Sequence, residues 1–597
     1  MKTHVWLSLS RFLLVSLAGL PLQAADARGG APQDTAGPPG PSFKEVLSLK
    51  SVGAPRISPD GRMIAYAVRT TEWEDNRYDR EIWLYREGEE PFQLTRTPEG
   101  SSTGQRWSPD GRWLAFLADR GEKQQIYLIS PYGGDAKPLT SVNEGVNSLR
   151  WSPDGARIAF TATDPESKES KARKDQYGGF AVEDADFRMS HLWVAEVDGE
   201  GEPRRLTEGD DFTVGGFAWS PDGEHIAFEH RPQPTPEASG MSDISVVEVA
   251  SGEVEPLMTE PGGDYGPIWS PDGRWILVNS MLQDSAFHRN RHLVRVPAAG
   301  GDIEILTQGF DENPSAFAWT RDGVWFLASQ RTSVRIFKLD PEDKRIEPVG
   351  ETPEMVFAAD VSADGSTLAF LGQSRTTLGE IYRTPVRRIR PERVTNLSAQ
   401  VGDWALGTRD VIQWTSQDGA TVEGVLFKPA DYDPNRRYPL LVAIHGGPTA
   451  TSRPAAVVSY VYPITQWLAK GALILMPNYR GSAGYGEAFR SLNVRNLGVG
   501  DAWDVLSGVE YLVEQGMADP DRMGAMGWSQ GGYISAFLTT TSDVFKAISV
   551  GAGISNWMTY YVNTDIHRFT RNYLKATPWD DPEVYAKTSP ITYIQEA

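Results

Sequence analysis

From about residue 43 the chain alternates short apolar runs with one polar turn, and the turn repeats. Ser58-Pro59-Asp60-Gly61 recurs at 108–111, 152–155, 220–223 and 270–273, with looser copies at Thr320-Arg321-Asp322-Gly323 and Ser362-Ala363-Asp364-Gly365. An apolar residue precedes each turn, as in Phe217-Ala218-Trp219 and Ile268-Trp269. Pro-Asp-Gly then reverses the chain, glycine supplying the positive φ. A strand such as 112–116 or 157–160 follows, and units close on a Leu-Thr pair, as at 94–95, 139–140, 206–207 and 306–307. Seven turns lie 304 residues apart from first to last, about 51 per unit. That period predicts a seven-bladed β-propeller, placed at 43–398.

The interval from Ser152 to Ser220 is 68 residues. Its surplus, around Asp164 to Met189, is strongly charged and is expected as a solvated loop. After about residue 400 the pattern changes. Val411–Thr415 and Val422–Lys428 predict a leading hairpin, and Leu440–Ile444 and Leu473–Met476 are apolar runs of buried-strand type. Helical patterning covers Thr465–Lys470 and Asp501–Gln515; the second places Trp503, Leu506, Val509, Leu512 and Val513 on one side. Further strands are expected at Met523–Met526 and Ala547–Val550, so residues 399–597 predict an α/β domain on a parallel sheet.

Composition narrows the chemistry. A formal net charge of −21 disfavours nucleic acid or anionic membranes as partners. With no cysteine, disulfides, thiolate catalysis and cysteine-ligated zinc are all excluded. Lys2, Arg11, the apolar run Phe12–Leu20 and Gln23-Ala24-Ala25 have the layout of a signal peptide over residues 1–25. A flexible lead-in follows at 26–42. The expected location is periplasmic or secreted, with no membrane span after cleavage.

Gly527-Trp528-Ser529-Gln530-Gly531 matches G-x-S-x-G between an expected strand and an expected helix (531–541), the setting that exposes a nucleophilic serine. Small flanking residues let backbones approach closely there, and the helix N-terminus favours a developing oxyanion. His445-Gly446-Gly447-Pro448 ends a strand, so the backbone N–H groups of Gly447 and Gln530 are the candidate oxyanion hole. His445 reads as structural, because in this fold serine, acid and histidine follow in that order.

These motifs, with Asn478-Tyr479-Arg480-Gly481-Ser482-Ala483-Gly484-Tyr485-Gly486 and the extension Gly532-Tyr533, resemble the prolyl oligopeptidase family, in its acylaminoacyl-peptidase and dipeptidyl-peptidase-like bacterial branch. The resemblance implies a serine peptidase whose propeller restricts access and whose substrates are short peptides; release of N-terminal dipeptides or acylated amino acids is expected, with endo- versus exopeptidase action left open. It implies aromatic pocket residues after the nucleophile, with Trp557, Tyr560 and Tyr561 as candidates. Glu183, Asp184 and Asp186 are candidates for holding a substrate amine. No metal or cofactor is expected, and oligomeric state is left open.

The triad is incomplete by the same pattern. His567 is the one histidine after Ser529, preceded by Asp543 and Asp565, and it comes too soon to be the base. The resemblance implies roughly 80 further residues carrying the last strands, the Asp and the His, so the chain as it stands is expected to be nearly inactive. A carboxylesterase and a non-catalytic propeller binding protein are the alternative readings.

Overall fold

A computed structural model describes residues 40–180, 182, 184–198, 201–282, 286–458 and 461–597. The expected signal peptide and nearly all of the lead-in lie outside them. Residues from Gly40 to Ala597 form one compact unit.

Seven four-stranded antiparallel blades run over 51–93, 102–138, 148–205, 213–258, 264–305, 315–348 and 355–393. The first strand of blade one is split into Ser51–Val52 and Arg56–Ile57, both paired with Met63–Glu72. Blades six and seven are bridged by one parallel pair, Val334 with Met355. The innermost strand of every blade touches that of the next, closing a ring.

The repeated turn explains why blades form where they do. In six of the seven, the Ser or its equivalent donates its hydroxyl to the Asp two residues on, at 2.5–2.7 Å. The same hydroxyl accepts the backbone N–H five residues on, at 2.9–3.0 Å, which starts the second strand. The closing Thr is equally local in its effect: the hydroxyls of Thr95, Thr140, Thr207, Thr307 and Thr395 accept N–H groups of the third strand. The Trp before the turn links blades. The indole N–H groups of Trp107, Trp151, Trp219 and Trp269 donate to Arg56, Arg106, Arg150 and Ala218 carbonyls of the preceding blade, at 2.9–3.2 Å.

Between blades seven and one the chain supplies no continuous strand, and side chains close the ring. Val52, Ile64 and Tyr66 pack on Ala369 and Ile381, the Ile57 N–H donates to Asp360 at 3.0 Å, and Arg383 pairs with Glu87 at 2.8 Å. The surplus in blade three is not a plain loop. It contains a helix, α1 (Lys168–Tyr177), capped by Ser167.

The second domain is a six-stranded sheet of β1 (Thr408–Thr415), β2 (Thr421–Lys428), β3 (Tyr438–Ile444), β4 (Leu473–Asn478), β5 (Ala518–Trp528) and β6 (Ala547–Gly551). Their order is β1-β2-β4-β3-β5-β6. β1, β2 and β4 pair antiparallel and the rest parallel, so the sheet is mixed rather than wholly parallel. β6 ends the described sheet, with Val550 47% exposed. Helix α2 (Gly500–Glu514) buries Asp501, Ala502, Asp504, Val505, Gly508, Val509 and Leu512. That face is rotated from the expected one: Trp503 stays half-buried, over the Arg480 guanidinium. The remaining helices used below are α3 (Gln530–Thr541), α4 (Trp557–Asn563) and α5 (His567–Leu574).

The propeller meets this domain through connections between second and third strands and between blades, all on one face. Glu312 forms a buried ion pair with Arg490 and accepts the Gly484 N–H at 2.5 Å. Arg331 pairs with Glu423 at 3.0 Å, and its N–H donates to Gly484 O at 2.7 Å. Glu237 accepts the Arg568 N–H and pairs with Arg571 at 2.7 Å. The Pro-Asp-Gly turns therefore lie on the opposite face.

Replacing Ser152 by Ala removes a hydroxyl that makes two bonds in a blade turn. The expected loss is about 1–2 kcal/mol of propeller stability, read as a lower denaturant midpoint with an unchanged slope; an unchanged midpoint would reject this account of the repeat.

Candidate active site

Ser529 sits between β5 and α3 with φ 58° and ψ −121°, a backbone region that is costly for a residue with a Cβ. The surrounding backbone enforces it. Its N–H donates to Gly551 O at 3.0 Å, and its carbonyl accepts the Tyr533 N–H at 2.9 Å to begin α3. A Cβ at Gly531 would stand 2.0 Å from Ile444 O, and one at Gly532 2.0 Å from Gly551 O. Only glycine permits such contact on both sides of the turn. The side chain of Ser529 is exposed, and among the described residues its hydroxyl has no hydrogen-bond partner.

The second strand end comes from β3. A Cβ on Gly446 would lie 3.7 Å from Ser529 Oγ, so the His445–Pro448 loop runs directly beside the serine. Gly447, with φ 128°, follows it, and Gln530 opens α3. These are the two expected oxyanion donors, each one residue from a group that adjoins the serine: Gly447 next to Gly446, and Gln530 next to Ser529 itself. The Tyr462 hydroxyl fastens the strand ends together, donating to Ile444 O at 2.8 Å and accepting the Trp528 N–H at 3.2 Å. Tyr462 carried no sequence signal, because it lies in an irregular stretch before a short helix.

His445 is buried and stacks on Tyr479 at 4.5 Å between centroids. Its Nδ1 lies 2.8 Å from Gly446 O and its Nε2 3.0 Å from Ser482 Oγ. Burial pushes it down to about 4, so it stays neutral and shapes the loop. Behind it, Arg480 is held by Asp504 through Nε at 3.0 Å and Nη2 at 2.8 Å, and by Asp418 through Nη1 at 2.7 Å. This clamps the β1–β2 turn, the end of β4 and helix α2 to one guanidinium. Asp501 lies buried below the serine turn, 3.4 Å from the Gln530 side-chain amide. Burial first, then neighbouring Asp504, pushes its carboxyl up to about 7.

Other expected site residues are dispersed. Trp557 is fully buried, its ring packed with those of Tyr533, Tyr560 and Phe569, so it belongs to the core and not to a pocket wall. Tyr561 is also a core residue, at 8% exposure, whereas Tyr560 is half-buried. His567 opens α5 with its ring against Tyr561. Glu183 lies outside the described residues. Asp184 is exposed, and Asp186 is paired with Arg173 of α1. Both lie in the blade-three insertion, where an open cavity of about 780 Å³ is lined by residues including Asp164, Lys174, Phe180, Asp186 and Arg205. As a second-to-third-strand connection, this insertion is on the propeller face that carries the hydrolase contacts.

A smaller cavity of about 130 Å³ lies between the domains, lined by Tyr265, Met281, Phe287 and Arg291 from the propeller and by Thr449 and Ala483 from the loops beside Ser529. For metals, Asp222, Glu224 and His225 are the one suitable trio among the described residues. They form an exposed blade turn in which Asp222 already accepts two hydrogen bonds.

Comparison with known proteins agrees with this architecture. Residues 459–597 match the prolyl oligopeptidase family and residues 43–182 the TolB β-propeller domain. An uncharacterized peptidase of Bacillus subtilis is 27% identical over 92% of this chain and 88% of its own. Dipeptidyl-peptidase 5 of Porphyromonas gingivalis is 25% identical over 92% of this chain and 84% of its own. The solved acylaminoacyl peptidase of Pyrococcus horikoshii superposes with a TM-score of 0.77 at 23% identity, covering 93% of this chain and 86% of that one.

Two outcomes follow from the geometry. With a histidine and carboxylate in place to serve Ser529, Gly531→Ala should disrupt the serine turn, lowering reaction of Ser529 with a fluorophosphonate by about two orders of magnitude or more; equal labelling would contradict the steric reading. The raised Asp501 carboxyl favours the folded state most below its unfolded value of about 4. That contribution is lost as pH rises to and through about 7. His445 acts in the opposite sense below its ordinary value, so the difference between variants is the measurement. Asp501→Asn should lose less stability than the parent between pH 4 and 8, and parallel curves would show that Asp501 is not neutral when folded.

Proposed function

We propose that this chain, which carries the catalytic domain of the prolyl oligopeptidase family of serine peptidases, hydrolyses short peptides through an acyl-enzyme on Ser529. The propeller would restrict what reaches it. The observation that carries the reading is the strained, exposed Ser529 set beside Gly446–Gly447 and at the head of α3. In the first step Ser529 Oγ adds to the scissile carbonyl. The Gly447 and Gln530 N–H groups face the carbonyl oxygen as it becomes an oxyanion, a term worth about 3–4 kcal/mol per donor in such sites. The amine leaves with a proton, and water then releases the acyl group.

Both steps need a histidine to take and return the serine proton, oriented by a carboxylate. His445 is neutral with its ring nitrogens beside Gly446 O and Ser482 Oγ, and His567 packs on Tyr561. Among the described residues, therefore, no histidine serves Ser529. The small interdomain cavity, with Tyr265 and Phe287 facing Thr449 and Ala483, supports approach of a short peptide between the domains. Release of N-terminal dipeptides is the favoured specificity, since dipeptidyl-peptidases are among the relatives and the blade-three insertion offers carboxylates on the correct face. Asp186 is the weakest of these anchors because Arg173 already neutralises it. The leading segment supports export to the periplasm or beyond.

With a histidine and carboxylate in place to serve it, a fluorophosphonate should label Ser529, and Ser529→Ala should lower kcat/KM by about 10⁵-fold or more. A dipeptidyl anilide with a free amine should be cleaved faster than an N-acylated aminoacyl anilide or a short-chain ester. Preference for the ester would favour a carboxylesterase, and absence of labelling would sink the enzyme reading. Ala at 183, 184 and 186 together should raise KM for the free-amine substrate alone; an unchanged KM removes those anchors.

A further inference from the structure

The residue before the Trp or its equivalent occupies the same place on all seven innermost strands: Arg56, Arg106, Arg150, Ala218, Ile268, Ala318 and Asp360. Three consecutive blades thus supply guanidinium groups, the next three supply apolar groups, and blade seven supplies a carboxylate. Each position lies two residues before a Pro-Asp-Gly-type turn, at the end of the propeller axis remote from the hydrolase domain.

The charges do not balance. Asp360 accepts the Ile57 N–H at 3.0 Å and stands 4.0 Å from the Arg56 guanidinium. Arg106 and Arg150 turn one N–H each onto local carbonyls, Gln105 O at 2.7 Å and Leu149 O at 2.9 Å. Neither has a carboxylate within ion-pair distance among the described residues. Burial, then mutual repulsion among the three, pulls Arg106 well below the ordinary arginine range and Arg150 to about 10, while Asp360 offsets part of it. Like charges gathered in a protein-walled space are costly unless a counter-charge joins them. In a chain of net charge −21, a general excess of basic residues does not account for them.

We propose that Arg56, Arg106 and Arg150 form an oxyanion-binding site at the outer end of the propeller axis, taking a small phosphate or carboxylate group. Planar guanidinium forks match the geometry of both groups. A bound oxyanion would tie blades one, two and three together beside the seam to blade seven, where the ring has no shared strand.

The test is titration of the whole protein with inorganic phosphate at constant ionic strength, read by calorimetry and by the unfolding temperature. Saturable binding with a rise in Tm is expected, and Arg106→Gln with Arg150→Gln should weaken it about tenfold or more. Asp360→Asn, which removes the competing carboxylate, should tighten it severalfold and guards against a misfolded double variant. A tripeptide acid compared with its amide, in a Ser529→Ala background so that the probe survives, distinguishes a peptide terminus from a free inorganic ion. Binding of either supports the site. Phosphate dependence that is non-saturating, or identical in parent and variants, overturns it.

Discussion

The site depends on how closely two pieces of backbone approach at the ends of β3 and β5. Ile444 O occupies the place where a side chain at Gly531 would be, and Gly446 lies against Ser529 itself. That approach holds the serine at positive φ, leaves it exposed and puts the N-terminus of α3 beside it. Backbone strain persists only where the surroundings over-determine it. Here Tyr462 spans both strand ends, the Gly551 carbonyl takes the serine N–H, and His445 is locked beside Ser482.

The same loops connect the serine to the propeller. Residues 479–486 carry Arg480, which locks the hydrolase domain from within, and Gly484, which is held by Glu312 and Arg331 from the propeller. The Glu312–Arg490 pair is almost wholly buried, at 2% and 0% side-chain exposure. Breaking such a pair leaves an uncompensated buried charge, typically several kcal/mol. The domains are therefore joined by charges that cannot be separated cheaply, within a few residues of a segment that is hydrogen-bonded to the loop beside Ser529. That coupling gives the propeller a physical route to influence chemistry at Ser529.

Where the sequence was legible, the forces were local. The blade turn is closed by bonds between residues two and five apart, so each repeat shows itself in a ten-residue window. The serine turn was equally visible, because Gly527 and Gly531, which meet backbone to backbone, stand within five residues of each other. Errors arose where burial is decided by distant partners. Trp503 falls on the expected apolar side of α2, but Arg480 from the turn after β4 draws it to the domain's polar network. Trp557 looked available to substrate, but α3 and α5 enclose it. Helix α1 has almost no apolar face, so periodicity could not reveal it; a serine cap and charge pairing such as Arg173 with Asp186 accompany it instead.

The sequence by itself determined the blade number, the order of domains and the position of the tight serine turn, since repeats and tight turns record short-range chemistry. Tertiary structure alone decided which groups surround that serine. Tyr462 and Asp501 bond to its neighbours Trp528 and Gln530 from 67 and 28 residues upstream of Ser529, and three arginines about 50 residues apart fall at equivalent places on adjoining innermost strands. Nothing in a linear pattern encodes such meetings, because they arise from ring closure and sheet order rather than from neighbours along the chain.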